Sequence, residues 1–194
     1  VKEVCEMNNV DCQTFLVVVN FMAEGFSRMD GSADDISIPA LVDYLRQAHI
    51  YFLDYCLPAI RRKLIEAIDC SQDDVSFLIL KFFDGYMREV RKHMEYEEKT
   101  VFKYVDTLIH GNAPKNYQIS TFSKHHDQVG ERLTELKNII IKYCPAKANT
   151  NVLNAALFDI YACEEGLESH CKVEDYLFVP AILKLERRMR ENEK

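Results

Sequence analysis

The chain is expected to be all-α: an up-down-up-down four-helix bundle with a short N-terminal helical extension. Three observations lead there. Apolar residues recur at helical spacing through four long segments. Glycine and proline are scarce, six and five in 194 residues, too few for the turns of a many-stranded sandwich or barrel. The connections between the four segments are short, which favours antiparallel neighbours.

The elements follow in order. Residues 1–36 are expected to be a separate extension and 37–194 the bundle. In the extension, Asp11–Phe26 is apolar enough for a short helix packed on the bundle, and Arg28–Asp35 is a polar loop. The first long helix runs from Pro39 to Asp69. Ser37 can cap its free amides and Pro39 suits its first turn. Leu41, Leu45, Phe52 and Cys56 form its apolar stripe, and Pro58 should kink it by removing a backbone donor. The second helix spans Gln72–Ile109. Ser71 is its cap, Asp73 and Asp74 sit where the dipole favours anions, and Gly111, Asn112 and Pro114 end it. The third spans Ser120–Tyr143 and stops before Pro145. The fourth spans Asn151–Glu191, with a break near Pro180.

Composition narrows the function. Hydrophobic residues make up 48% and charged residues 28%, which suits a soluble globular chain and excludes a disordered or fibrous one. The net charge of −7 repels phosphate backbones, so nucleic acid is not an expected partner. The longest apolar run, Thr14–Ala23, is interrupted by Asn20 and falls short of the ~20 apolar residues of a bilayer span, so no membrane partner is expected either. No export signal is visible. Seven cysteines, an odd number with no CxxC, suit reduced thiols in a cytoplasmic protein better than a disulfide framework.

The histidines carry the chemistry. His93-Met-Glu-Tyr-Glu97 and His170-Cys-Lys-Val-Glu174 share one spacing, which puts an imidazole and a carboxylate on one helical face. His93 to His170, Glu97 to Glu174 and His49 to His126 are each separated by 77 positions. The chain therefore repeats a helix pair: a lone histidine on the first helix, an HxxxE on the second. His125 misses the register by one, so His126 is the candidate ligand. One HxxxE alone would be an ordinary surface pair; two, with two lone histidines in the same register, are not.

Two inward carboxylates in an apolar core are costly unless a cation compensates them. Two metals could each take two histidines, with Glu97 and Glu174 bridging and one position left open. Mixed imidazole and carboxylate donors suit iron, manganese or zinc and match Cu(I) poorly. An open position on a redox metal is where O₂, peroxide or NO would bind.

At these residues the chain resembles the hemerythrin-like (HHE cation-binding) family, and within it the bacterial di-iron proteins that repair iron–sulfur centres. The matching pieces are His126-Asp-Gln-Val-Gly130, His93-Met-Glu-Tyr-Glu97-Glu98 with Val101-Phe102, and His170-Cys-Lys-Val-Glu174-Asp175 with Leu177-Phe178 and Pro180. Leu41-Val-Asp-Tyr-Leu45 before His49 fits as well, and the likeness covers about residues 37–190. The resemblance implies a pair of oxo- or hydroxo-bridged iron ions (Fe²⁺/Fe³⁺), with zinc or manganese as substitutes. His49 and His93 would hold one iron, His126 and His170 the other, and Glu97 and Glu174 would bridge. It implies a role in oxidative or nitrosative stress, repairing iron–sulfur centres or consuming NO or O₂, with iron–sulfur proteins as partners. The other class it allows is a sensor or store of O₂, NO or iron without turnover. Oxygen carriers of the family have a further histidine one turn after the third-helix ligand. Gly130 stands there in this chain, which argues against a dedicated O₂ carrier. Cys5 and Cys12 are not the adjacent pair of the repair proteins' extra domain, so a cysteine-dependent repair role is not expected.

The remaining residues have plainer readings. His110 complements the dipole at the end of the second helix, as Arg187, Arg188 and Arg190 do near the end of the fourth. His125 is exposed or supports a ligand. Met87 and Met94 pack. Glu95, Glu98 and Asp175 point away from the ligand face. Tyr44, Tyr96 and Tyr176 are the candidates to hydrogen-bond a ligand.

Overall fold

The computed structural model describes residues 1–24, 36–68, 74–112, 117–124, 129–143 and 148–192. Among them every regular element is helical and none is a strand. The expected loop 28–35, the start and stop residues Ser71, Asp73, Pro114 and Pro145, and His125 and His126 lie outside the described residues. Cys70 and Cys144 do too.

The extension holds two helices, α1 (Lys2–Met7) and α2 (Cys12–Glu24), where one was expected. Six residues are too few for α1 to show a periodic stripe. Asn9, with φ 54°, makes the turn between them, a conformation asparagine tolerates better than most residues. Asp11 caps α2 by accepting the Thr14 N–H at 2.8 Å.

The first expected long helix comprises α3 (Ile38–Ile50), a π-helical turn Tyr51–Cys56, and α4 (Leu57–Ala67). The second comprises α5 (Asp74–Tyr96), a π turn Glu97–Val101, and α6 (Phe102–Ile109). In place of one third helix there is a 3₁₀ segment, Ile119–Lys124, and then α7 (Val129–Lys142). The fourth comprises α8 (Thr150–Val173), a π turn Glu174–Phe178, and α9 (Val179–Asn192). Of the three π turns among the described residues, two end two residues before a proline, at Pro58 and Pro180. A proline inside a helix donates no hydrogen bond and crowds the carbonyl four residues back. A wider π turn at that point relieves both, so the interruptions expected at these prolines take this form. The turn at Glu97 has no proline after it.

The caps behave as their residues suggest. Ser37 accepts the Ala40 N–H at 3.4 Å at the start of α3. Gly111, with φ 83°, stops α6: its N–H bonds the Leu108 carbonyl, and the Asn112 N–H bonds that of Thr107, each at 3.0 Å.

The chain divides into two compact units. One comprises Ala48–Tyr96 and His126–Glu168. Its core is built from four helical stripes: Leu57, Ile60 and Leu64 on α4; Ile79, Phe83, Tyr86, Val90 and Met94 on α5; Leu133, Leu136 and Ile140 on α7; Leu153, Ala156, Ile160, Cys163 and Leu167 on α8. Spacings of three and four residues put each set on one face. Ion pairs lie around this core. Arg61 donates to both Asp84 oxygens, at 2.6 and 3.1 Å, and Lys63 meets Asp159 at 2.5 Å. Lys137 pairs with Glu164 and sits 4.1 Å from the centre of the Tyr161 ring.

The other unit comprises Val1–Gln47, Glu97–His125 and Ser169–Lys194. The Ser37 N–H donates to Thr14 Oγ1 at 3.0 Å, which ties α2 to the start of α3. The Phe178 ring meets Phe102 and Phe122 edge-on, with centroids 5.8 and 6.4 Å away. Glu186 is buried on α9 and accepts the Tyr104 hydroxyl at 2.6 Å and the Ile119 N–H at 3.0 Å. These two bonds fix α6 and the 3₁₀ segment to α9. Burial and the Glu186 carboxylate push the Tyr104 phenol well above its usual range.

Candidate metal centre

Each candidate side chain takes its place from a helical stripe. His49 follows Leu41 and Leu45 by one further turn on α3, and His170 continues the α8 series Leu153, Ala156, Ile160, Cys163 and Leu167. Sequence periodicity thus drives both imidazoles inward with the apolar residues. Glu97 and Glu174 each stand four residues after a histidine and each begins a π turn. A π turn in a helix is an energetically poor element found often at functional sites. Here two of the three start on the paired carboxylates, one of them with no proline to account for it.

His49, Glu97, His170 and Glu174 each offer one ligand atom, and these four atoms all lie within 4.8 Å of one another. Among the described residues this is the only such gathering of histidine, cysteine and acidic groups. All four are buried: Glu97 and Glu174 are 0% exposed, His170 2% and His49 3%. His170 Nε2 is 3.4 Å from Glu174 Oε1, one turn along the helix. Both oxygens of each carboxylate are closed to solvent.

His93 occupies the last turn of α5, four residues before Glu97, and is half-buried with Nε2 closed to solvent. It is not one of the four gathered residues. His126 lies outside the described residues, so the structure gives no placement for the sixth candidate.

The electrostatics follow from burial. The Glu174 carboxyl is pushed well above the usual carboxylate range, first by desolvation, then by the Glu97 charge and by Asp175. Tyr44 is raised by its own burial and then by the Glu174 charge, so its phenol stays protonated. Its hydroxyl donates to the Met22 sulfur at 3.6 Å. Of the other tyrosine candidates, Tyr176 is 46% exposed with its ring 6.1 Å from that of Phe21, and Tyr96 is half-buried. Cys171 was not singled out by its sequence, since the residue after a ligand points about 100° away on a helix. Even so, its half-buried thiol is held protonated by desolvation and by the Glu174 and Glu97 charges.

His110 is far simpler. It is exposed at the end of α6, and its Nδ1 is 2.7 Å from the Asp106 carbonyl, to which it can only donate. This is the capping role its position suggests.

The donor set fits a divalent cation. Two carboxylates enclosed together repel each other and have lost their hydration, and a divalent ion would offset both. Imidazole nitrogen with carboxylate oxygen is a donor set for iron, manganese or zinc. No described helix is long and apolar enough to cross a membrane. Neither the curated proteins nor the solved structures contain a match to the chain. A family model does match it: the hemerythrin HHE cation-binding domain aligns with residues 40–182, which contain all four gathered residues and both HxxxE pairs. With nearly three quarters of its length inside that match, the chain belongs to the hemerythrin HHE cation-binding family.

Proposed function

We propose that this cation-binding chain is a non-haem di-iron protein of the oxidative and nitrosative stress response, which consumes NO or O₂ or repairs iron–sulfur centres. The observation that carries the reading is the buried group of two imidazoles and two carboxylates. His49, His93, Glu97, His126, His170 and Glu174 are the residues that would hold the iron. The fold that serves this site is an up-down four-helix bundle over residues 37–194 with 1–36 as an extension, and the compartment is the cytoplasm.

Iron bound there would supply one-electron chemistry and a coordination position for a diatomic molecule. The chain's own residues do the rest. Glu97 and Glu174 provide the two negative charges that select a divalent cation. The HxxxE spacing holds the His170 imidazole beside Glu174, at 3.4 Å, before any metal arrives. Val101, Phe102, Val173, Leu177 and Phe178, in or flanking the two π turns, are at most 1% exposed and keep bulk water out. Tyr44 retains its phenolic proton near Glu174 and keeps that side neutral.

The test is anaerobic loading with ferrous iron, followed by NO consumption with an electron donor and by reactivation of an iron–sulfur protein damaged with peroxide. Multiple turnovers of NO, or recovered activity, that vanish in Glu97→Ala and Glu174→Ala support the proposal. Stoichiometric binding without turnover or repair would replace it with a sensor or store.

A further inference from the structure

A glycine inside a long helix needs a reason. Glycine gives up more conformational freedom on folding than any other residue, so it weakens a helix interior relative to alanine. Gly166 stands well inside α8, in helical backbone and not at a turn. What it allows is close approach. A Cβ on Gly166 would sit 3.3 Å from both Cε1 and Cζ of Phe52. Carbon atoms pack best at about 3.5–4.0 Å, so one of the two partners would have to withdraw by a few tenths of an ångström.

Phe52 has little room to withdraw. It is 5% exposed, belongs to the same core as Leu57, Ile60 and Leu167, and its ring meets Tyr51 edge-on at 5.3 Å. A packed interior passes such a displacement on and does not absorb it. The positions of the two residues decide where it goes. Phe52 is three residues after His49 and Gly166 is four before His170, so each lies one helical turn from an imidazole of the gathered group. A shift of either backbone carries a histidine with it. Metal–donor distances are held to about 0.2 Å, so a few tenths of an ångström is large on the scale of the site.

We propose that Gly166 is a positioning residue of the cation site. Having no side chain, it lets the α8 backbone settle against the Phe52 ring, and that closeness sets the separation of the His49 and His170 donors. The inference rests on reading the four gathered residues as the cation site. Gly85 supplies the contrast. It stands inside α5, and a Cβ there would have Arg88 Nη2, the end of a flexible side chain, as its nearest neighbour at 3.8 Å. Alanine is therefore free to replace Gly85 without moving anything that leads to a ligand.

In the experiment, cobalt(II) alone is titrated without oxygen into the chelator-treated full chain. Affinity and the visible absorption bands are read together, since those bands report coordination geometry. Thermal unfolding of the metal-free chain runs in parallel. Gly166→Ala should bind cobalt(II) roughly 10–100-fold more weakly than wild type, with shifted bands. Adding Phe52→Leu to that chain makes room for the new methyl group, and the double variant should recover most of the lost affinity and the wild-type bands. Gly85→Ala should raise the metal-free Tm and leave affinity and bands as they are. A Gly166→Ala chain with an altered Tm but wild-type affinity and bands overturns the inference and leaves the cation site standing. So does a double variant that binds no better than Gly166→Ala. Wild-type protein that binds no cobalt(II) overturns the cation site, and the inference with it. The double variant keeps the test decisive even if Gly166→Ala folds poorly.

Discussion

The carboxylates of Glu97 and Glu174, 77 positions apart in the chain, offer ligand oxygens within 4.8 Å of each other, and neither residue has any solvent exposure. Two acids buried this closely oppose folding unless something positive joins them. The metal-free chain should therefore carry a stability penalty at the site where it binds its cation.

That relationship predicts opposite effects of one substitution. Glu174→Gln removes the buried ionisable carboxyl, whose ionisation desolvation and Glu97 oppose, while keeping the side-chain shape. It should stabilise the chelated chain by on the order of 1–3 kcal/mol and so raise its Tm. The same variant should lose the further rise in Tm that divalent metal gives the wild type. Thermal unfolding with and without metal measures both. A metal-free variant no more stable than wild type would show that the carboxylates are not in conflict.

The histidines should separate cleanly. His49→Ala and His170→Ala should each lower bound metal per chain, while His110→Ala should leave it unchanged. All three remove an imidazole, but only the first two residues share the buried group; His110 caps a helix in water. Elemental analysis of the three variants distinguishes a site from histidines that merely bind metal nonspecifically.

How much of this was legible in the sequence is clearest residue by residue. The 77-residue repeat pointed to His49, His93, Glu97, His126, His170 and Glu174, and four of these six lie together because helical periodicity turns spacing directly into position. The π turns left no such mark. They use the same residues as an α-helix and differ only in which carbonyl each amide reaches, so Pro58 and Pro180 hint at two and nothing hints at the one at Glu97. Contacts between distant segments were equally silent: Glu186 looks like one more charge near a basic helix end, and nothing in its neighbourhood names Tyr104. That Ile119–Lys124 is 3₁₀ and not α was also hidden, since a single turn of either helix carries the same apolar spacing.

Glu186 should matter to folding although it touches no ligand. Tyr104→Phe removes the hydroxyl that donates to this buried carboxylate at 2.6 Å. A hydrogen bond to a charged group contributes about 1.5–3 kcal/mol, so the variant should unfold at correspondingly lower denaturant with metal content unchanged. Unfolding in urea alongside metal analysis checks both halves.

The Arg61–Asp84 pair should make stability depend on pH in a definite direction. Hydrogen bonds from Arg61 hold the Asp84 carboxyl below its ordinary value. A carboxyl depressed by folding stabilises the native state above its unfolded value of about 3.9, and loses that contribution as pH falls through the lower folded value. Asp84→Asn should thus be less stable than wild type at neutral pH, by about 1 kcal/mol or less because the pair is partly exposed, and the two should converge in stronger acid. Chemical denaturation at pH 7 and near pH 2.5 tests this.

The central claim concerns the metal. Its most direct test is elemental analysis of protein purified and reconstituted with ferrous iron without oxygen, compared with Glu97→Ala and Glu174→Ala treated identically. The account predicts about two irons per wild-type chain, from two metals sharing the paired glutamates, and a marked loss in each variant. A wild-type chain that holds no metal after reconstitution, or variants that hold as much as wild type, would contradict it.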